Sequence, residues 1–158
     1  MAEELSRNRL ALLSRSGGRT GGEVIIDEVW NRLEGLTSWI PGRTGRPPRS
    51  MLYRPFLYTD GALDVAELPH IRFPGRLRCG KGVSIGRLCQ LTCTGGLDLG
   101  DDVIIGPQVL STTTNHVWSD PQATIRSQGL EHDPITIGRD DWIGGHATSG
   151  RDIGAEHA

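Results

Sequence analysis

The residues best able to do chemistry in this 158-residue chain crowd into one polar stretch: Asn115, His116, Trp118, Asp120, Arg126, His132 and Asp133. A histidine there can accept a proton at neutral pH, because an unperturbed imidazole titrates near ~6.5 and a general base works best close to the operating pH. A lone histidine in a polar loop is otherwise a solvated side chain, so its neighbours decide. Three histidines, His116, His132 and His146, also raise a zinc site, which needs three ligands converging tetrahedrally and one open position. The cysteines Cys79, Cys89 and Cys93 are odd in number and lack metal-site spacing. Nothing near them lowers a thiol pKa, so inert small core residues of a reduced, cytoplasmic protein are expected.

Composition narrows what can position these groups. Glycine is doubled, at 22 residues, which argues against a helical bundle, since each interior glycine costs a helix roughly 1 kcal/mol. The formal net charge of −2 excludes a simple electrostatic nucleic-acid binder. No apolar run reaches the ~18 residues of a membrane span, and the first residues do not read as a secretory signal. Sixteen of the 17 basic residues are arginine, and Arg43, Arg46, Arg49 and Arg54 fall in a stretch, 35–59, that contains no acid.

Three regions are expected. Residues 1–22 are polar and aperiodic and read as a mobile tail. Residues 23–72 form a partly helical, Arg-rich lead-in: Val24, Ile25, Ile26, Val29, Trp30 and Leu33 follow helical spacing up to Gly35, whereas Pro41, Pro47, Pro48, Gly42 and Gly45 forbid a continuous helix over 39–49. Residues 39–58 are either a segment packed on the next domain or an interfacial anchor. In the second case Trp39, Phe56 and the tyrosines sit at headgroup depth and arginine faces anionic lipid.

From about Phe73 to the end, 73–158, a hexapeptide rule takes over. Phe73, Cys79, Ile85 and Leu91 are six apart, as are the aliphatic-glycine pairs beginning at Leu99 and Ile105 and at Ile137 and Ile143. Four residues after such positions come Val83, Cys89, Val103, Val109 and Ala147. The pattern predicts an all-β solenoid of short parallel strands, three to a coil, with the first-position aliphatic pointing inward. Glycine is expected at tight corners where φ turns positive. The eight-residue step from Leu91 to Leu99 places Gly95-Gly96 in a corner bulge. The 26-residue step from Ser111 to Ile137 predicts a protruding loop, 114–134, and an excursion of that length is commonly functional.

These residues carry a resemblance. Residues 99–107 (LGDDVIIGP), 113–116 (TTNH), 127–130 (SQGL) and 137–145 (IGRDDWIGG) resemble the hexapeptide-repeat acyltransferases, especially the maltose, galactoside and nodulation-factor O-acetyltransferase group. Residues 40–43 (IPGR) and 51–54 (MLYR) look like the lead-in of acyltransferases of polysaccharide biosynthesis. The resemblance implies a left-handed parallel β-helix, against the usual right-handed crossover. It further implies acetyl-coenzyme A as acyl donor, a sugar or cell-surface polysaccharide precursor as acceptor, and a homotrimer with each site between neighbouring prisms.

By motif position His116 would be the general base, with the acceptor hydroxyl attacking the thioester directly and no acyl-enzyme, and Asn115 would orient the imidazole or the acceptor, or serve a turn. The Gly145 N–H would be the oxyanion donor, with Gly144 beside it at the coenzyme. Trp142 would offer its indole to pantetheine or sugar, or pack on its own loop. No metal is implied. The zinc-dependent carbonic anhydrases built on the same prism are an alternative whose His-x4-His spacing is missing here, as is a non-catalytic trimeric scaffold. The ten residues from Ile143 to Ile153, where two repeats take 12, read as a two-residue deficit. With the family's further coils missing, a weakened coenzyme site and a tendency to aggregate are expected.

Overall fold

The structure, a computed structural model, describes residues 21–150. It opens with two helices, α1 (Gly21–Thr37) and α2 (Gly42–Tyr53). Nine short strands follow: β1 (Tyr58–Thr59), β2 (Leu63–Val65), β3 (His70–Arg72), β4 (Leu77–Cys79), β5 (Val83–Ile85), β6 (Gln90–Thr92), β7 (Leu97–Leu99), β8 (Ile104–Ile105) and β9 (Leu110–Thr112). An excursion then carries β10 (Thr114–His116), the one-turn helix α3 (Ile125–Gln128) and β11 (Leu130–His132). The chain returns through β12 (Ile135–Ile137), β13 (Trp142–Ile143) and β14 (Thr148–Ser149). Every third strand pairs in parallel, giving three four-stranded sheets: β1-β4-β7-β12, β2-β5-β8-β13 and β3-β6-β9-β14. The chain therefore winds around three faces, as the repeat requires.

Register sets the coil length. Leu77 lies on Leu97 and Ser84 on Ile104, so a coil takes 20 residues rather than 18. The inward positions run Val65, Ile71, Cys79, Ile85, Leu91, Leu99, Ile105 and Ser111, all buried. Their steps are six, six and eight, and the eight falls each time at the corner from the third sheet to the first. Phe73 is thus no rung of the ladder. It sits in that corner at φ 59°, half-buried beside Arg72 and Arg76. The solenoid begins at Tyr58, fifteen residues before the expected boundary: Thr59, Val65 and Ile71 form a first coil six apart, and the eight-residue step from Ile71 to Cys79 hides it from a ladder counted through Phe73. Fully buried side chains such as Leu77, Leu91, Leu97 and Ile105 each contribute roughly 1.5–3 kcal/mol of burial free energy. Ser149 lies on Ser111 in unbroken register, six after Ile143, so no deficit occurs through that point. Ile153 itself lies outside the described residues, as does the expected tail over 1–22 apart from Gly21 and Gly22, which are helical in α1 rather than part of a tail.

Gly82 and Gly96 take the positive φ expected of corner glycines, 73° and 103°, whereas others work by closeness. A Cβ on Gly106 would lie 2.6 Å from the Gly145 nitrogen and 2.9 Å from the Ile143 oxygen of the next coil. The left-handed corner positions are instead mostly non-glycine, and they stack: Leu68, Leu88, Gln108 and His146 in one column, with φ between 53° and 61°.

The two helices close the first-coil end of the stack. An open solenoid end exposes unpaired backbone groups of its terminal strands. In β3, the His70 N–H and the Arg72 carbonyl pair with the next coil, which leaves Ile71 facing outward along the axis. The Trp30 indole N–H donates to the Ile71 carbonyl at 2.6 Å, and Glu34 Oε1 accepts from the Ile71 N–H at 2.8 Å. This explains why the buried stripe of α1 is Trp30, Glu34 and Thr37, while Ile25, Val29 and Leu36 are exposed. The helix also starts at Gly21 and runs two residues past Gly35, since packing on the strand edge outweighs the glycine signal.

The helix α2 corrects the expectation of a broken segment. Pro47 and Pro48 lie inside it. Only two helical hydrogen bonds are lost, and Arg49 compensates by tertiary bonding. Wholly buried, it donates to the carbonyls of Val65 (Nε, 3.1 Å), Thr37 (Nη1, 3.3 Å) and Ile40 (Nη1, 2.6 Å). Gly45 permits this, for a Cβ there would stand 2.3 Å from the Ile40 oxygen. Arg46 pairs with Asp64, and Tyr53 is buried edge-on against Trp30, ring centroids 4.5 Å apart. Arg49 and Tyr53 are therefore withdrawn from any lipid-facing surface, although Trp39, Met51 and Tyr58 remain exposed.

Candidate functional site

The register step from Leu97 to Ile135 is 38 residues, 18 more than a coil, and the surplus leaves the solenoid at the third corner. Its root is Thr113, buried, whose hydroxyl donates to the Thr92 carbonyl at 2.9 Å and accepts from the Gly95 N–H at 2.7 Å. Sequence reasoning missed Thr113. The Gly95-Gly96 bulge was the only hint that something would pack into that corner. Beyond it β10 and β11 form an antiparallel ribbon, Thr114 opposite His132, Asn115 opposite Glu131 and His116 opposite Leu130. The far part is braced by Gln128, whose Nε2 donates to the carbonyls of Asp120 and Ala123 while its Oε1 accepts from the Asp120 N–H at 2.9 Å. The loop is a built structure.

Residues directly opposite in such a ladder share a face, as do residues two apart. His116, Thr114, His132 and Leu130 therefore stand on one side of the ribbon, and Asn115 and Glu131 on the other. The His116 imidazole is exposed. His132 is held through Nδ1, 3.0 Å from the Thr114 hydroxyl. Asn115 does not reach the imidazole, since its Oδ1 accepts from the backbone N–H of His116 at 2.9 Å. It fixes the strand that carries the base.

The other expected residues lie elsewhere on the coil. Trp142 projects from the outer face of the second sheet, 74% exposed, above Ile104. Gly144 and Gly145 turn the corner between the second and third sheets, where His146 donates its N–H to the Pro107 carbonyl at 3.0 Å. Among the described residues no backbone carbonyl accepts from the Gly145 N–H. The site residues thus divide between two corners: His116, Asn115 and His132 at one, Trp142, Gly144, Gly145 and His146 at or beside another. One chain alone does not bring them together. The separation of His146 also keeps the three histidines apart, and among the described residues no three His, Cys, Asp or Glu side chains cluster as metal ligands would.

The thiols are buried and free. Burial pushes Cys79 up to about 12, with the Asp98 charge adding, and raises Cys89 and Cys93 as well. The Cys89 thiol donates to the Gly106 carbonyl at 3.0 Å. They are packing residues, as expected.

Two open grooves mark the surface. One, of about 610 Å³, runs over the first sheet along Tyr58, Arg78, Asp98 and Thr136. The second, of about 450 Å³, lies where the end of α1 meets residues 68–72. Neither is lined by His116, Trp142 or Gly145.

No protein-family model and no curated protein matches the sequence. Solved structures do match the fold. A hexapeptide-repeat-containing acetyltransferase from Vibrio cholerae superposes with a TM-score of 0.69 at 20% identity, over 84% of this chain and 73% of the other. A maltose O-acetyltransferase from Clostridium difficile 630 superposes with a TM-score of 0.60 at 20% identity, over 83% and 72%. The fold is that of these hexapeptide-repeat proteins.

Proposed function

We propose that the protein is an acetyl-coenzyme A-dependent O-acetyltransferase acting on a hydroxyl of a sugar or cell-surface polysaccharide precursor, wound as a left-handed β-helix and assembled as a homotrimer. The observation that carries this reading is the exposed His116 imidazole, held away from the coil on a braced ribbon rooted in the buried Thr113.

His116 takes the proton of the acceptor hydroxyl as its oxygen attacks the thioester carbonyl carbon. A C–O bond forms and the carbonyl electron pair moves onto oxygen. Its return breaks the C–S bond and expels the thiolate, which takes the proton from the imidazolium, so no acyl-enzyme intervenes. The transient oxyanion needs a fixed donor, and the Gly145 N–H, without a described backbone acceptor, supplies it. Gly144 lies beside the coenzyme. The exposed Trp142 face stacks on pantetheine or on the sugar ring.

Because Gly145 and Trp142 stand at a different corner from His116, the site is completed between copies: His116 of one chain meets the Gly145 corner of the next. Trp118, Ile125 and Leu130, exposed on the loop, then find cover in that junction. A thin coil gains from such burial. The buried, reduced thiols suit a cytoplasmic enzyme.

The test is His116→Ala, assayed as free thiol released from acetyl-coenzyme A across a panel of sugar and polysaccharide acceptors. A loss of about 10²–10⁴ in turnover with the fold retained is expected. Undiminished transfer removes His116 from the chemistry.

A further inference from the structure

The groove of about 450 Å³ at the helical cap holds a second imidazole that acetyl transfer does not use. His70 and Arg72 alternate with the buried Ile71 on β3, so both project outward from the same face. Two residues along a strand span about 6.6 Å. His70 Nδ1 lies 3.1 Å from Glu34 Oε2, and the other Glu34 oxygen accepts the Ile71 N–H at 2.8 Å. Both carboxylate oxygens are thus engaged, and the imidazole is oriented with Nε2 left for a ligand. This is the arrangement by which a buried carboxylate sets a working histidine. Burial raises the Glu34 pKa, which the His70 and Ile71 contacts oppose.

Among the described residues Arg72 has no carboxylate partner. Its guanidinium lies 5.7 Å from the centre of the Phe73 ring, beside the groove. Asn31, on α1, and Ser38, just past its end, add neutral polar groups to the same depression. Capping the Ile71 N–H requires Glu34 alone. It requires neither an oriented, half-exposed imidazole nor an arginine set alongside.

We infer that this groove is a phosphate-binding site, in which Arg72 offers its planar fork and His70 Nε2 a second contact to a phosphoryl group, with Asn31 and Ser38 completing the shell. The inference is independent of the acetyl-transfer reading, for it shares no residue with the His116 ribbon or the Gly145 corner. The phosphoryl group could belong to a soluble ester or to a lipid headgroup, and the experiment separates them.

The full chain is titrated calorimetrically with inorganic phosphate, pyrophosphate and glycerol phosphate. In parallel it is floated with phosphatidylcholine vesicles with and without phosphatidic acid. Arg72→Ala and His70→Gln are compared with Arg32→Ala, an exposed arginine of α1 paired with Glu28 outside the groove. Both groove side chains are exposed and glutamine keeps a partner for Glu34, so the fold is expected to persist, with far-UV circular dichroism as the check. Saturable binding weakened about tenfold or more by each groove variant, and unchanged by Arg32→Ala, is the expected result. In the calorimeter it assigns a soluble ligand; in flotation alone it assigns a headgroup. Absence of saturable binding in both arms, or binding indifferent to both groove variants, overturns the inference.

Discussion

Arg49 offers a direct test of the view that α2 caps the coil rather than merely preceding it. The side chain is fully buried, and its three hydrogen bonds, to Val65, Thr37 and Ile40, tie the first coil to both ends of the α1–α2 connection. In Arg49→Met the stem is replaced at similar volume while the Val65 and Ile40 carbonyls lose this donor and the Thr37 carbonyl keeps only the Ile40 N–H at 3.3 Å. Each such orphaned group costs about 1–3 kcal/mol. Removing the desolvation cost of an unpaired guanidinium returns part of that, and the expected net loss is about 2–4 kcal/mol. Against a total stability of about 5–15 kcal/mol this is large. At roughly 2–4 °C per kcal/mol for a domain of this size, Tm falls by about 4–16 °C. Urea unfolding followed by circular dichroism and by Trp30 emission measures it. Trp30 is the one buried tryptophan among four, the others being 65–74% exposed, so its blue-side emission reports the cap. Arg49→Lys, whose single ammonium cannot span all three carbonyls, should fall between. A loss below about 1 kcal/mol for Arg49→Met would refute the reasoning, because surface substitutions cost that little.

Other outcomes follow from the same geometry. Gly106→Ala forces a Cβ within 2.6 Å of the Gly145 nitrogen, so it should cost about 1–3 kcal/mol in denaturant unfolding and also lower acetyl-transfer turnover by displacing the oxyanion donor. The buried thiols have pKa values raised above those of the unfolded chain. Their contribution to stability is therefore complete below about 9 and is lost as pH rises through the Cys79 value of about 12, which alkaline unfolding should show and a Cys79→Ala variant should lessen. Native-state alkylation by iodoacetamide at pH 8 should be slow at all three thiols and fast only after unfolding.

How much of this was legible beforehand varies with the range of the interaction. The six-residue ladder and the loop were readable because a solenoid repeats its local environment, and each coil imposes the same demand at the same place in the chain. The glycines were recognised correctly, yet the reason assigned to them was local backbone freedom. That reason holds at Gly82 and Gly96; at Gly86 and Gly106 the constraint is the neighbouring coil 2.6 Å away, and other left-handed positions fall to Leu88, Gln108 and His146. Phe73 reads as a rung from the sequence because it stands six before Cys79. Only the pairing register reveals that every third corner takes two residues more.

Residue types and their short-range order by themselves determined a three-faced β coil and an imidazole carried on an insertion, since inward side chains must recur wherever strands stack. Tertiary structure alone decided that Glu34 and Arg49 bury themselves on strand-edge backbone groups, that Asn115 holds the His116 backbone, and that His116 and Gly145 stand at separate corners. The Glu34 and Arg49 bonds join groups 9 to 37 residues apart in sequence, and hydrogen-bond demand at an open edge leaves no periodic mark on the chain that must satisfy it.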